Sequence, residues 1–131
     1  MRDPYDVVRD FCEAMGKKDL DAVRGLLGPD VVYHNIPMDP IEGFDATVAS
    51  LEAQFEMFET IEFRIVAVAV TGHTVLTERI DLFTTAAGAD GTIPVMGAFD
   101  VEDSRITSWR DYFDMGQAGK ALEPPGDAPG A

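Results

Sequence analysis

Three short stretches combine polar groups able to do acid-base chemistry with a spacing that would gather them. They are Tyr33-His34-Asn35, Arg79-Ile80-Asp81 and Trp109-Arg110-Asp111-Tyr112-Phe113. If each is a strand, residues two apart share a face, so Tyr33 goes with Asn35, Arg79 with Asp81, and Asp111 with Trp109 and Phe113. A carboxylate set between two large aromatics is costly to bury unless it is paired and hydrogen-bonded. The chain should therefore supply partners for Asp111, and the other two stretches hold them. Arginine is permanently charged and presents a fork of donors that can hold two carboxylates at once. Two carboxylates held together have split proton affinities, so that one acts as acid while the other acts as base. An amide and a phenol beside the base make a cradle for a water molecule. Such a set suits attack of water on a strained or activated electrophile whose leaving oxygen needs a proton.

A plainer reading competes with this one. Leu76, Ile80 and Leu82 occupy the opposite face of the Arg79 strand, and most charged residues are exposed, so composition alone would leave Arg79 and Asp81 in water as a surface ion pair. Against it, Val75 and Phe83 share the face of Arg79 and Asp81, so these charges have apolar neighbours. Both faces are covered if helices take one and a second copy of the chain takes the other. The Leu76, Ile80 and Leu82 face is then the expected interface of a homodimer.

Other chemistries are poorly served. Gly116-Gln117-Ala118-Gly119-Lys120 lacks the glycine spacing and the Ser or Thr of a phosphate loop. A Gly-x-Ser-x-Gly elbow is missing. His34 and His73 are the only histidines and no cysteine pair accompanies them, so no zinc site is assembled, and neither metal nor cofactor is expected. Cys12 falls on an apolar helical stripe and reads as a small core residue. The formal net charge of -14 argues against nucleic acid or an anionic membrane surface as partner. No apolar run approaches the roughly 20 residues needed to span a bilayer, and the N-terminus has no apolar signal core. With its single cysteine, the chain is expected in the cytoplasm.

The elements that must position these groups follow from local pattern. Asp3-Pro4-Tyr5-Asp6 is a helix start, and Val7, Val8, Phe11, Cys12 and Met15 form one stripe ending near Gly16. A second short helix begins at the cap Asp19 and stops at Gly28-Pro29. Residues 31–36 read as a strand, and a third helix capped by Asp45 carries Val48, Leu51, Phe55 and Phe58. Two hairpins follow, residues 61–70 with 73–83 and 92–101 with 105–113, and Pro94 marks an edge or a bulge. Gly116 to Leu122 offers one weak helical turn. At 131 residues the chain fits one domain, expected over residues 1–122, with a disordered Pro/Gly-rich tail over 123–131. Helices first and hairpins after are the α+β pattern. The expected architecture is N-terminal helices on a strongly curved, mainly antiparallel sheet that encloses an apolar pocket, a cone-shaped barrel.

At the quoted residues the chain resembles the limonene-1,2-epoxide hydrolase family, within the nuclear-transport-factor-like and polyketide-cyclase-like superfamily. The resemblance runs from about Val7 to Leu122 and is closest in Tyr33-His34-Asn35-Ile36-Pro37, Thr77-Glu78-Arg79-Ile80-Asp81 and Trp109-Arg110-Asp111-Tyr112-Phe113-Asp114. It implies that Asp111 is the general base, that Asp81 protonates the epoxide oxygen, and that Arg79 bridges the two. Tyr33, Asn35 and Asp111 would hold the water. It also implies one concerted step without metal or covalent intermediate, a dimer, and a deep apolar pocket for a small apolar epoxide. Met15, Phe58, Phe83, Val95 and Phe113 are candidate pocket residues, each equally suited to core packing. Gln54 departs from the resemblance, since the family tends to be apolar there. Two other readings stay open: an isomerase or cyclase on the same fold, and a non-catalytic ligand-binding or dimerisation module.

Overall fold

A computed structural model describes residues 2–121. Four helices and six strands follow in the order α1 (Pro4–Lys17), α2 (Leu20–Leu26), β1 (Leu27–Asn35), β2 (Ile41–Glu42), α3 (Phe44–Met57), β3 (Phe58–Thr71), β4 (Thr74–Thr85), β5 (Asp90–Glu102), β6 (Arg105–Tyr112) and α4 (Met115–Ala121). The strands form one sheet in the order β2-β1-β6-β5-β4-β3. Every neighbouring pair is antiparallel except β1 with β6, which run parallel. The α+β expectation holds, but the sheet is open, with β2 and β3 as its edges, and does not close into a barrel.

The local signals explain most of the boundaries. The Asp3 side chain accepts from the Tyr5 amide, Pro4 opens α1, and Lys18 ends it in the left-handed region. Asp19 caps α2 through the Ala22 amide. The third helix departs from expectation: it is preceded by Gly43 at φ 95° with no side-chain cap, and Asp45 lies inside the first turn, where the helix dipole favours its charge. β1 begins at Leu27, ahead of the expected Val31. Gly28 permits this, since an added Cβ would lie 3.3 Å from the Ile106 carbonyl oxygen on β6. The register between the two strands shifts between Leu27 and Val32, and that irregularity takes up Pro29. Pro94 lies where β5 pairs with β4 alone, because pairing with β6 starts only at Met96. The β5–β6 turn places Asp103 and Ser104 both at positive φ, the tight reversal that matches strand twist.

The core lies between the helices and the concave sheet face. Trp109, wholly buried, is its centre: Tyr33 stacks on the indole at 3.9 Å and Phe11 meets it edge-on at 4.9 Å. The opposite face is less well covered. Leu76, Met96 and Tyr112 are each 40 to 52 % exposed on it, and Ile80 and Leu82 are half-buried. Among the described residues no helix is long and apolar enough to cross a membrane. The expected tail at residues 123–131, and Leu122 of the last helical turn, lie outside the described residues.

Candidate functional site

Strand alternation on β4 sends Val75, Thr77, Arg79, Asp81 and Phe83 inward and leaves Leu76 and Glu78 exposed. Arg79 is fully buried and Asp81 and Asp111 are each 4 % exposed, so the reading of a surface ion pair is overturned. What decides it is the aromatic layer that the helices complete above this face. The Arg79 guanidinium lies 4.6 Å from the Phe63 ring centre, so part of its desolvation is offset by the ring's negative face.

The guanidinium grips both acids. Nε and Nη2 donate to the Asp81 carboxylate at 3.0 and 2.8 Å, while Nη1 and Nη2 donate to Asp111 at 3.0 and 2.9 Å. β5 lies between the strands carrying these residues, so the contact spans two strand spacings, about 10 Å. Gly97 makes the crossing possible. It stands in register with Thr77 on one side and Asp111 on the other. A Cβ there would collide with Arg79 Nη1 and come within 2.8 Å of Asp111 Oδ1 and 2.9 Å of Thr77 Oγ1.

The two carboxylates differ in their surroundings. Asp111 Oδ1 also accepts from the Trp109 indole N–H at 2.9 Å, whereas among the described residues Asp81 accepts from Arg79 alone. Burial, with the Asp111 charge adding to it, outweighs Arg79 and pushes the Asp81 carboxyl up to about 6. Burial opposes the charge on Arg79, yet Asp111 and Asp81 together hold it well above its ordinary value. One guanidinium against two carboxylates leaves a buried net charge of one minus, and a proton on Asp81 neutralises it.

Asn35 lies in register with Asp111 across the parallel β1–β6 pair, and Tyr33 with Trp109. The Tyr33 hydroxyl accepts from Asn35 Nδ2 at 3.0 Å and from Gln54 Nε2 on α3 at 3.3 Å. Burial first, and the Asp111 charge second, push this phenol up to about 12, so it stays protonated. All of this opens on a cavity of about 350 Å³. Its polar lining is Tyr33, Asn35, Gln54, Asp81 and Asp111, and the remainder is apolar or glycine. Arg79 lies behind the two acids and does not line the cavity.

The structure thus brings Tyr33, Asn35, Arg79, Asp81 and Asp111 together. Phe58, Phe83, Val95 and Phe113 line the cavity, but Met15 does not: it is wholly buried in the core, as its place on the α1 stripe requires. Ile93, Phe63 and Met38 also line it, as do Met115, Ala118 and Gly119 of α4, the segment that fails as a phosphate loop. Gly97 is absent from the residues singled out in the sequence, although a glycine inside a strand is a common mark of close approach. The Trp109 hydrogen bond has no such mark, because sequence pattern shows the indole as bulk. Among the described residues no group of three or more His, Cys, Asp and Glu stands where it could hold a metal.

Solved structures define the class first. A polyketide cyclase homologue from Xanthomonas campestris matches with a TM-score of 0.83 over 92 % of this chain and 96 % of its own, at 20 % identity, which is a likeness of fold alone. A structure described as an M. tuberculosis LEH-like epoxide hydrolase also matches at 0.83, with 34 % identity over 91 % of this chain and 88 % of that one. The fold is therefore the open α+β cone of cyclase-like proteins, and here it surrounds a buried acid-arginine-acid set. The family model for the limonene-1,2-epoxide hydrolase catalytic domain matches residues 2–123, and the chain belongs to that family. Epoxide hydrolase EphG of Mycobacterium tuberculosis is 37 % identical over 119 residues, 88 % of this chain and 76 % of that protein.

Proposed function

We propose that the protein is an epoxide hydrolase that adds water to a small, largely apolar epoxide and releases a vicinal diol. The observation that carries this is the buried Asp81–Arg79–Asp111 set, whose two acids line an apolar cavity beside Tyr33 and Asn35. Asp111 is the base, held in place by hydrogen bonds from Arg79 and Trp109. It takes a proton from a water held with Tyr33 and Asn35, and the water oxygen forms a bond to one ring carbon. The C–O bond breaks, and Asp81 gives its proton to the leaving oxygen. The released diol carries one proton more from Asp81, and Asp111 holds one more from water; passing that proton back to Asp81 restores the resting state. No electrons change hands, and Asp81 and Asp111 supply the acid and the base, so the step as written balances with these side chains and water. Family membership and the relatives named as epoxide hydrolases support the reaction class. The cyclase likeness supports only the fold.

Asp81→Asn and Asp111→Asn should each remove turnover while the far-ultraviolet circular dichroism stays unchanged. A panel of cyclic, terpene-like and aryl epoxides assayed for diol formation tests the substrate class, and near wild-type rates in either variant would reject the roles. Single turnover in oxygen-18 water should put label in the diol and none in the protein; label in an aspartate would show a covalent route instead.

The second part of the proposal concerns assembly. The outer sheet face, with Leu76, Ile80 and Leu82 joined by Met96 and Tyr112, is the contact between two copies of the chain.

A further inference from the structure

Gln54 is the one polar cavity residue that the proposed reaction leaves without a task. Its Nε2 and Asn35 Nδ2 both donate to the Tyr33 hydroxyl oxygen, at 3.3 and 3.0 Å. A phenol has one hydrogen to give and lone pairs to accept with. Both of its amide neighbours are donors, so its own hydrogen can be aimed at neither. It is left to point along the cavity side, where the proposed reaction puts its water beside Asp111. Asn35, having spent Nδ2 on Tyr33, keeps Oδ1 as an acceptor.

We propose that Gln54 is a positioning residue: together with Asn35 it fills the acceptor side of Tyr33 and commits the phenol to donate to the oxygen of the attacking water. That water gives its two hydrogens to Asp111 and Asn35 Oδ1, accepts from Tyr33 on one lone pair, and keeps the other for the epoxide carbon. Four neighbours in tetrahedral array then leave a single direction of attack. The inference rests on the water-addition reading above, and deepens it by assigning a donor direction at each of the three contacts.

The test is a double-mutant cycle of Gln54→Leu and Tyr33→Phe, assayed with cyclohexene oxide. Gln54→Leu should lower kcat about tenfold, the weight of one lost hydrogen bond in the transition state, with KM within about twofold. In the Tyr33→Phe background the same substitution should change kcat less than about twofold, because the two residues act through one oxygen. Gln54→Glu keeps the volume but replaces the donor by an acceptor that draws the phenol hydrogen to itself. Its kcat should fall at neutral pH and recover as the introduced carboxyl is protonated. Additive effects in the cycle, a change in KM alone, or full activity of Gln54→Glu at neutral pH would each overturn the proposal.

A readout without turnover separates this inference from the reaction itself. The Raman doublet of tyrosine reports whether a phenol donates or accepts, and the difference between each protein and its Tyr33→Phe partner isolates Tyr33. Gln54→Leu should shift that difference spectrum. If the wild type opens no epoxide but the shift is seen, the reaction is wrong and the hydrogen-bond assignment stands; no shift overturns the assignment whatever the activity.

Discussion

Asp81 and Asp111 touch the same guanidinium, yet they are not equivalent, and the difference is one N–H. Asp111 receives three donors, two from Arg79 and one from the Trp109 indole, against two for Asp81. Charge-assisted hydrogen bonds favour the ionised form, and Asp81 has the fewer of them. Because burial raises the Asp81 carboxyl to about 6, hydrolysis should decline as pH rises through that value and the acid loses its proton. A pH profile of kcat/KM on one epoxide checks it; a flat profile from pH 5 to 8 would remove Asp81 as the acid. Stability carries the same sign. A carboxyl that binds its proton more tightly when folded stabilises the protein fully below the ordinary carboxylate range, and that contribution is lost as pH rises through about 6. Denaturant midpoints should fall across this window, and should fall less in Asp81→Asn.

At the scale of elements, the site depends on a strand that contributes no catalytic group. β5 has to be crossed by the Arg79 side chain, and Gly97 clears the way. Gly97→Ala should cost about 1–3 kcal/mol through overpacking and should lower kcat by moving Arg79 off Asp111. Urea denaturation and steady-state rates measure the two effects; wild-type values for both would mean that the crossing has slack.

How much of this was legible in the sequence depends on the range over which each element is determined. α1 and α2 were readable because Asp3, Pro4 and Asp19 act within one turn of themselves. Asp45 does not cap α3, because a glycine at positive φ starts that helix through backbone geometry alone. β2 is two residues long, too short to carry a periodic signal. Period-two spacing gathered the five polar residues, but the inward turn of Arg79 and Asp81 was ambiguous, since both faces of β4 carry apolar side chains. Met15 lies in the core and not in the cavity wall, and the sequence is ambiguous there for a related reason: an apolar stripe marks burial and does not tell one from the other.

For the whole molecule, the proposed dimer meets an opposing charge. Each copy carries a formal charge of -14, so association must overcome repulsion that salt screens. Sedimentation should show a dimer that tightens as ionic strength rises, and Leu76→Glu on the outer face should give monomers that still fold. A wild-type monomer at micromolar concentration under all salt conditions would rule out this interface.

The parallel pairing of β1 with β6 has a kinetic consequence. Asn35 and Asp111 are neighbours in the sheet, but the chain between them holds β2, α3 and three further strands. Contacts so distant in sequence close slowly, since the entropy of the intervening loop is lost before any contact compensates it. β1 thus waits for the last strand, and the proposed water cradle is assembled only when β1 and β6 meet. Recovery of hydrolysis during refolding would report completion of the whole sheet, where circular dichroism reports the helices that form first.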